Sequence, residues 1–180
     1  MPGMAAVGRQ DGGRRGGRTA RALIAGSGGL IGSAVSKRIE GLGHQVERLV
    51  RHAPAPGEVQ WDLDAGTIDT SGLEGCDAVV RLRTSGLLTE ALVALEHKPS
   101  LLVCGSGRGG YALSGDQSLV EDSPLGTDIL AQLERDGEAA TTPASAAGIR
   151  VVQMLIPTVL GGPNLAAMTK NVRRLGNGRR

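Results

Sequence analysis

The glycine string at residues 26–32 constrains this chain more than any other segment. It reads GSGGLIG, follows the apolar run 21–26, and leads into a stretch whose apolar residues recur at helical spacing. At a strand–helix corner, Gly26 permits a tight turn, Gly29 lets a diphosphate approach the backbone, and Gly32 lets helix and strand pack closely. The helix N-terminus then offers unpaired N–H groups to an anion. The string predicts a phosphate cradle, with a ligand-free glycine-rich turn as the alternative.

The rest of the chain alternates between strand-like and helix-like segments. Helices are predicted at 28–43, 87–96 and 129–140, and Pro143 is a predicted break. Continuous Val, Ile and Leu runs between helices indicate a parallel sheet covered on both faces. The prediction is an α/β fold, a doubly wound parallel sheet of Rossmann type that binds NAD(P), with strand order 3-2-1-4-5-6. Its strands are expected at 21–26, 44–50, 58–61, 77–80, 100–105 and 150–156.

Composition excludes several classes of protein. With 180 residues, 40% of them hydrophobic and 21% charged, the chain suits one folded domain. Trp61 and Tyr111 are the only aromatic residues, so the stacking platforms of a single-strand nucleic-acid binder are missing. Cys76 and Cys104 stand apart without ligand spacing, which argues against a disulfide framework and against a metal site. A reducing, cytoplasmic location is expected.

Basic charge is concentrated in the two tails. Residues 1–21 hold five arginines and one aspartate, and residues 170–180 hold five basic residues and no acid. Solvated termini are the expected meaning, and contact with an anionic partner is the alternative. We expect a disordered basic tail at 1–20, a nucleotide-binding domain at 21–164 and a basic segment at 165–180. No apolar run approaches the roughly 18 residues that a membrane span needs, so no membrane partner is expected. No nucleic-acid partner is expected either, because stacking aromatic residues are nearly absent.

A second glycine string, at 105–110, also fits G-x-G-x-x-G. The residues after it do not have a helical pattern, so it lacks the helix N-terminus that a phosphate cradle needs. It is interpreted as a flexible loop. A Walker A loop is excluded because the chain contains no Gly-Lys pair.

The end of the second predicted strand bears on the choice of dinucleotide. An acid there binds the ribose 2′-hydroxyl of NAD, whereas an arginine accommodates the 2′-phosphate of NADP. The chain has Val50, Arg51 and His52 at this point and no acid. NADP is therefore the predicted cofactor, with NAD possible, and a merely solvated Arg51 is the alternative.

Several segments together resemble a known family. IAGSGGLIG, GHQVERLVR, VQWDLDAGTID, LEGCDAVV, LVEDSP, DILAQLERDGEAA and GIRVV follow one another in the order found in atypical extended short-chain dehydrogenase/reductases. The similarity is to the NAD(P)-dependent epimerase/dehydratase-like family, in the branch called epimerase family protein. It runs from Ala22 to the C-terminus.

The resemblance implies a set of site residues. Val50 and Arg51 would hold the adenosine-ribose phosphate, Asp62 and Leu63 would lie beside the adenine, and Val159 would approach the nicotinamide. Ser106 and Tyr111 would be the catalytic polar groups that polarise a carbonyl oxygen. With the glycine string, the predicted cofactor-binding set is Gly26, Ser27, Gly29, Leu30, Ile31, Gly32, Val50, Arg51, Asp62, Leu63 and Val159.

The chain also departs from that family. The NLAG loop that normally follows DAVV is missing after Val80, and the family's substrate-binding C-terminal region is missing after Arg180. The Tyr-x-x-x-Lys pair of short-chain reductases falls at Leu130 and Glu134, neither of which can act as that acid/base pair. The family's tryptophan corresponds to Gly137. The alternative interpretation of Ser106 is a turn residue. The alternative interpretation of Tyr111 is a side chain that covers apolar surface.

Three hypotheses about function follow from these residues. The first is an NADP-preferring oxidoreductase or epimerase that acts on an unknown small carbonyl or sugar-like substrate. The second is a non-catalytic dinucleotide-binding protein, or one that needs a partner to complete its site. The third, an anionic partner bound by the tails, rests only on their charge.

Overall fold

The computed structural model describes residues 18–82, 86–111, 118–120, 122–162, 165–166 and 169–170. The strands are β1 (Arg21–Ala25), β2 (Gln45–Val50), β3 (Glu58–Asp62), β4 (Thr67–Ile68), β5 (Ala78–Arg81), β6 (Leu101–Gly107) and β7 (Arg150–Ile156). The helices are α1 (Leu30–Gly41), α2 (Gly86–Ala94), α3 (Ile129–Ala139) and α4 (Thr142–Ala146), and a short 3-10 turn spans Arg108–Gly110.

The strands form one seven-stranded sheet in the order β4-β3-β2-β1-β5-β6-β7. All neighbours pair in parallel except β3 and β4, which are antiparallel. The predicted Rossmann-type sheet and its order of six strands are confirmed. Strand β4 was not predicted, because two residues are too short to show an alternating pattern.

The helices cover both faces of the sheet. Helix α1 connects β1 to β2 toward one edge, and α2 connects β5 to β6 toward the other. Because such crossovers are right-handed, the two helices lie on opposite faces. On the α2 face, leucines from neighbouring strands and from α2 make a core that excludes water. Its fully buried members include Leu23, Leu73, Val79, Leu88, Leu92, Leu102 and Cys104.

Helices α3 and α4 begin at residues whose chemistry favours a helix start. The Asp128 side chain accepts a hydrogen bond from the Ala131 N–H at 2.9 Å, which satisfies one of the free donors at the start of α3. Pro143 lies in the first turn of α4, where its missing N–H costs nothing. The predicted break at Pro143 is therefore the start of a new helix. Among the residues described, no helix has the length and apolar character that crossing a membrane requires.

Arg21 ties the far end of the sheet together. Its guanidinium donates to the carbonyl oxygens of Glu74 at 2.6 Å and Gly72 at 2.5 Å, and its Nε lies 3.0 Å from a Glu47 carboxylate oxygen. The Arg21 N–H donates to Asp77 at 2.8 Å. One arginine thus fixes the loop that enters β5, at the end of the sheet opposite the glycine string.

Glu74 extends this network to the end of α2. Its two carboxylate oxygens accept hydrogen bonds from the N–H groups of His97, at 3.0 Å, and Glu96, at 2.9 Å. These bonds, that of His97 first, hold the pKa of Glu74 below its ordinary value. A carboxylate with a lowered pKa stabilises the fold above its unfolded pKa, and this stabilisation is lost as the pH falls through the folded pKa.

We expect Glu74→Gln to lower the melting temperature at pH 7, because the amide loses one charged acceptor. The difference from wild type should shrink as the pH falls below about 4, because the unfolded carboxyl protonates there and the folded carboxyl, with its lowered pKa, protonates at still lower pH. Melting curves from pH 7 to pH 3 measure this. Glu90→Gln, on the exposed face of α2, is the control and should show no such pH dependence. A difference of constant size across the range would contradict the assignment.

Candidate functional site

The glycine string forms the corner between β1 and α1. Gly26 has a φ of 96°, in the left-handed region that side chains rarely adopt. Its carbonyl oxygen accepts from the Gly29 N–H at 3.1 Å, which closes the turn. Gly29 is the N-cap of α1, and no side chain caps the helix there. The first N–H groups of α1 therefore have no side-chain acceptor from the N-cap residue.

Gly32 allows the helix to lie against the strand. A Cβ atom on Gly32 would be 2.8 Å from both the Gly26 carbonyl carbon and the Ser27 Cα, closer than real contacts allow. A Cβ on Gly28, in contrast, would meet nothing within 4 Å. The corner is thus closed toward β1 and open on its outer side. This arrangement fits a diphosphate approaching the backbone, as the spacing of the glycines predicts.

A cleft of about 520 Å³ opens beside this corner. It brings together four residues of the predicted cofactor set with five that the sequence did not single out as cofactor-binding, namely Gly28, Arg48, Leu49, His52 and Glu58. The Arg48 guanidinium donates to Glu40 on α1 at 2.7 Å, while Arg51 is exposed. The cleft is lined by Gly26, Ser27, Gly28, Arg48, Leu49, Val50, Arg51, His52 and Glu58.

The remaining predicted cofactor residues lie outside the lining of this cleft. Leu30 and Ile31 open α1, and Leu30 packs against the glycines at 161 and 162, which places the segment after β7 beside the corner. Val159 lies on the same segment and is exposed. Their contact with a cofactor stays a prediction.

The two residues predicted beside the adenine follow the carboxyl end of β3. The Asp62 Oδ1 accepts from the N–H groups of Asp64 at 2.9 Å and Ala65 at 3.0 Å, so this carboxylate holds the turn toward β4. Leu63 packs against the core and is partly buried. An adenine could contact the outer surface of this turn, and the role of both residues stays a prediction.

Ser106, the first predicted catalytic residue, is buried near the end of β6. Its hydroxyl lies 2.5 Å from Glu138 Oε1 and 3.3 Å from Glu134 Oε2. Glu134 Oε2 also accepts from the Gly107 N–H at 3.0 Å. A hydroxyl carries one proton, so Ser106 donates to one carboxylate at a time, and the shorter distance favours Glu138.

The two glutamates reach Ser106 because they are four residues apart on one face of α3. Gly107 permits this approach, since a Cβ there would lie 3.2 Å from Glu134 Cδ. The spacing of the glutamates is visible in the sequence, but the face they share does not reveal which residue they contact. Tyr111, the second predicted catalytic residue, follows the 3-10 turn, is half-buried and bridges to Leu125.

Arg81 is a buried charge close to this cluster. Its side chain is only 2% exposed, and its Nη2 donates to the Gly137 carbonyl oxygen at 3.0 Å. Burial raises the pKa of the neighbouring Cys104 thiol, and Arg81 partly offsets the effect. Residue 137 is the glycine expected, from the resemblance, at the family's tryptophan position. The guanidinium therefore reaches the backbone of α3 at a point where this chain has no side chain.

The described part of the chain contains no group of three or more His, Cys, Asp or Glu residues suited to a metal ion. The segments at residues 83–85 and 112–117 lie outside the described residues. The first segment lies shortly after Val80, where the family loop is expected to be missing. The second segment follows the second glycine string.

Comparison with known proteins places the chain among its relatives. No protein-family model matches it. An epimerase family protein of Mycobacterium bovis is 34% identical over 187 residues, covering 87% of this chain and 62% of that protein. The epimerase family protein SDR39U1 of Mus musculus is 31% identical over 146 residues, covering 67% of this chain and 48% of that protein. Over most of its length the chain is similar to epimerase family proteins.

Solved structures of the family have the same fold. The nucleoside-diphosphate sugar epimerase from Corynebacterium glutamicum superposes with a TM-score of 0.67 at 31% identity, over 77% of this chain and 34% of that one. Human epimerase family protein SDR39U1, solved with NADPH, has a TM-score of 0.67 at 26% identity, over 83% and 58%.

The alignment with the mycobacterial relative also bears on the missing loop. Its 187 positions exceed the 87% of this 180-residue chain that they span, so that relative has internal residues which this chain lacks. The chain spans 62% of the relative's length. The internal difference in length agrees with the loop that is expected to be missing after Val80.

We expect Gly32→Ala to destabilise the fold by about 1–3 kcal/mol, because the added methyl group must displace backbone rather than a flexible side chain. Gly28→Ala is the matched control: its methyl group points into open space, so stability should stay within about 0.5 kcal/mol. Urea denaturation of both variants measures the free energy of unfolding. Equal stability of the two would show that the close approach of α1 to β1 is not a constraint.

Proposed function

We propose that this chain binds a nicotinamide dinucleotide, with a preference for NADP over NAD. The observation that carries the proposal is the glycine corner, which is closed by Gly32, open at Gly28, and continuous with a cleft that contains Arg51. Backbone N–H groups at a helix N-terminus suit a diphosphate, and a guanidinium suits a phosphate monoester. The human relative solved with NADPH supports the same cofactor.

Different residues would contact different parts of the cofactor. The amides that begin α1 would hold the diphosphate, and Val50 and Arg51 would hold the adenosine ribose and its 2′-phosphate. Asp62 and Leu63 would lie near the adenine, and Val159 near the nicotinamide. When bound, a nicotinamide cofactor supplies hydride exchange with a carbonyl carbon.

The reaction we propose is of the oxidoreductase or epimerase type, on a small carbonyl or sugar-like substrate. Ser106 and Tyr111 would donate their hydroxyl protons to the substrate oxygen and so stabilise negative charge on it. To do this, Ser106 must turn its proton from Glu138 toward the substrate.

Cofactor binding is tested by thermal denaturation with NADPH or NADH. At a concentration 100 times the dissociation constant, a ligand specific for the folded state adds about 2.7 kcal/mol of stability. We expect a larger shift with NADPH than with NADH, and loss of this preference in Arg51→Ala. Arg150→Ala, an exposed arginine at the start of β7, is the control and should keep the preference. Equal shifts for the two nucleotides in wild type would contradict the role of Arg51.

A non-catalytic dinucleotide-binding protein is the second candidate, favoured by one observation. The Ser106 hydroxyl is buried and bonded to carboxylates, which do not stabilise negative charge on a substrate oxygen. Such a protein would bind the nucleotide without turnover.

Turnover separates the two candidates. In a screen of carbonyl substrates with NADPH, we expect Ser106→Ala and Tyr111→Phe each to lower kcat about 10²-fold or more, the scale on which one oxyanion donor acts. Nucleotide affinity should be unchanged, because neither side chain belongs to the cleft around Arg51. Nucleotide binding by wild type with no turnover on any substrate would establish the non-catalytic candidate.

A further inference from the structure

An acid from β3 lines the cleft, although the end of β2 has none. Glu58 lines the cleft together with Arg51 and His52, although it belongs to the start of β3. Its side chain is 21% exposed, so it is held in place but still meets solvent. An acid in this region of a Rossmann fold normally comes from the end of the second strand.

The register of the sheet explains how Glu58 reaches the cleft. Residue 58 pairs with Arg48, in the second half of β2, and register partners in adjacent strands point to the same face. That is the α1 face, because the Arg48 guanidinium contacts Glu40 of α1. After the loop 51–57, Glu58 therefore begins its strand beside the second half of β2, where it lines the same cleft as Arg51.

The known contacts of Glu58 leave part of its carboxylate available. Glu58 Oε2 accepts from the Ala55 N–H at 3.0 Å, and the same oxygen lies 3.8 Å from His52 Nε2. A carboxylate accepts hydrogen bonds at both of its oxygens. Oε1 can therefore accept a hydrogen bond from a hydroxyl group of a ligand while Oε2 holds the loop in place.

We propose that Glu58 determines how the cleft discriminates between NADH and NADPH. Its carboxylate accepts a hydrogen bond from the adenosine ribose hydroxyls of NADH and repels the 2′-phosphate of NADPH, whereas Arg51 attracts that phosphate. The two side chains oppose each other across the same ribose, and their balance sets a moderate preference for NADPH. The inference rests on the proposed function, since it concerns the nucleotide site itself.

The test is a pair of dissociation constants, for NADH and NADPH, measured by calorimetry on wild type and Glu58→Gln. The amide oxygen can still accept from Ala55, so the loop keeps its tether while the charge is removed. We expect the ratio of the NADH constant to the NADPH constant to rise about tenfold, the scale of one charged hydrogen bond. Glu90→Gln removes the same charge from the exposed face of α2, and it should leave the ratio unchanged.

The outcomes separate the inference from the proposed function. If neither nucleotide binds wild type, the proposed function fails. If both bind and Glu58→Gln weakens them by the same factor, Glu58 supports only the loop and the inference is overturned. A fall in the ratio would likewise overturn it. In the double variant Arg51→Ala with Glu58→Gln, we expect the two nucleotides to bind with similar constants, because both discriminating charges are gone.

Discussion

The contact between helix α1 and strand β1 at Gly32 is the constraint on which the site depends. The helix approaches the backbone of residues 26 and 27 so closely that no side chain fits between them. This fixes where α1 starts and where its first N–H groups point. Because the next strand, β2, returns alongside β1, its last residues come to the same edge as those N–H groups. The close approach at Gly32 places the helix N-terminus, and the parallel pairing of β2 with β1 brings Arg51 to the same cleft.

The two ends of the sheet use charge in opposite ways. At one end, the Arg21 guanidinium contacts carbonyl oxygens and a carboxylate of the chain itself, and it stabilises the fold. At the other end, Arg51 is exposed beside a cleft, and a glutamate faces the same space. Charges exposed beside a cleft in this way can interact with a ligand. This contrast is what makes the glycine end the candidate site.

Much of the fold could be predicted from the sequence, because it follows from local patterns. Apolar runs, helical periodicity and the glycine spacing gave the six-strand order and the corner at β1. Strand β4 was missed because two residues carry no period. Glu58 was missed for a different reason: its place depends on the register between β2 and β3, which is set by the length of the loop 51–57 and by no motif.

The cluster around Ser106 shows the same limit at the candidate catalytic site. The glutamates at 134 and 138 are recognisable as neighbours on a helix, but their contact with Ser106 depends on how α3 docks on β6. Gly107 leaves room for the Glu134 carboxylate beside β6, which only the assembled sheet reveals. Local rules thus predict elements, whereas contacts between distant elements require the packed molecule.

In the role proposed for Ser106, its bond to Glu138 is an internal competitor for the substrate oxygen. A ligand that accepts a hydrogen bond from the Ser106 hydroxyl must first replace the Glu138 carboxylate, which stays beside the serine because it belongs to α3. The fraction of molecules with a free serine then multiplies the intrinsic affinity, so measured binding is weaker than the contacts alone would give.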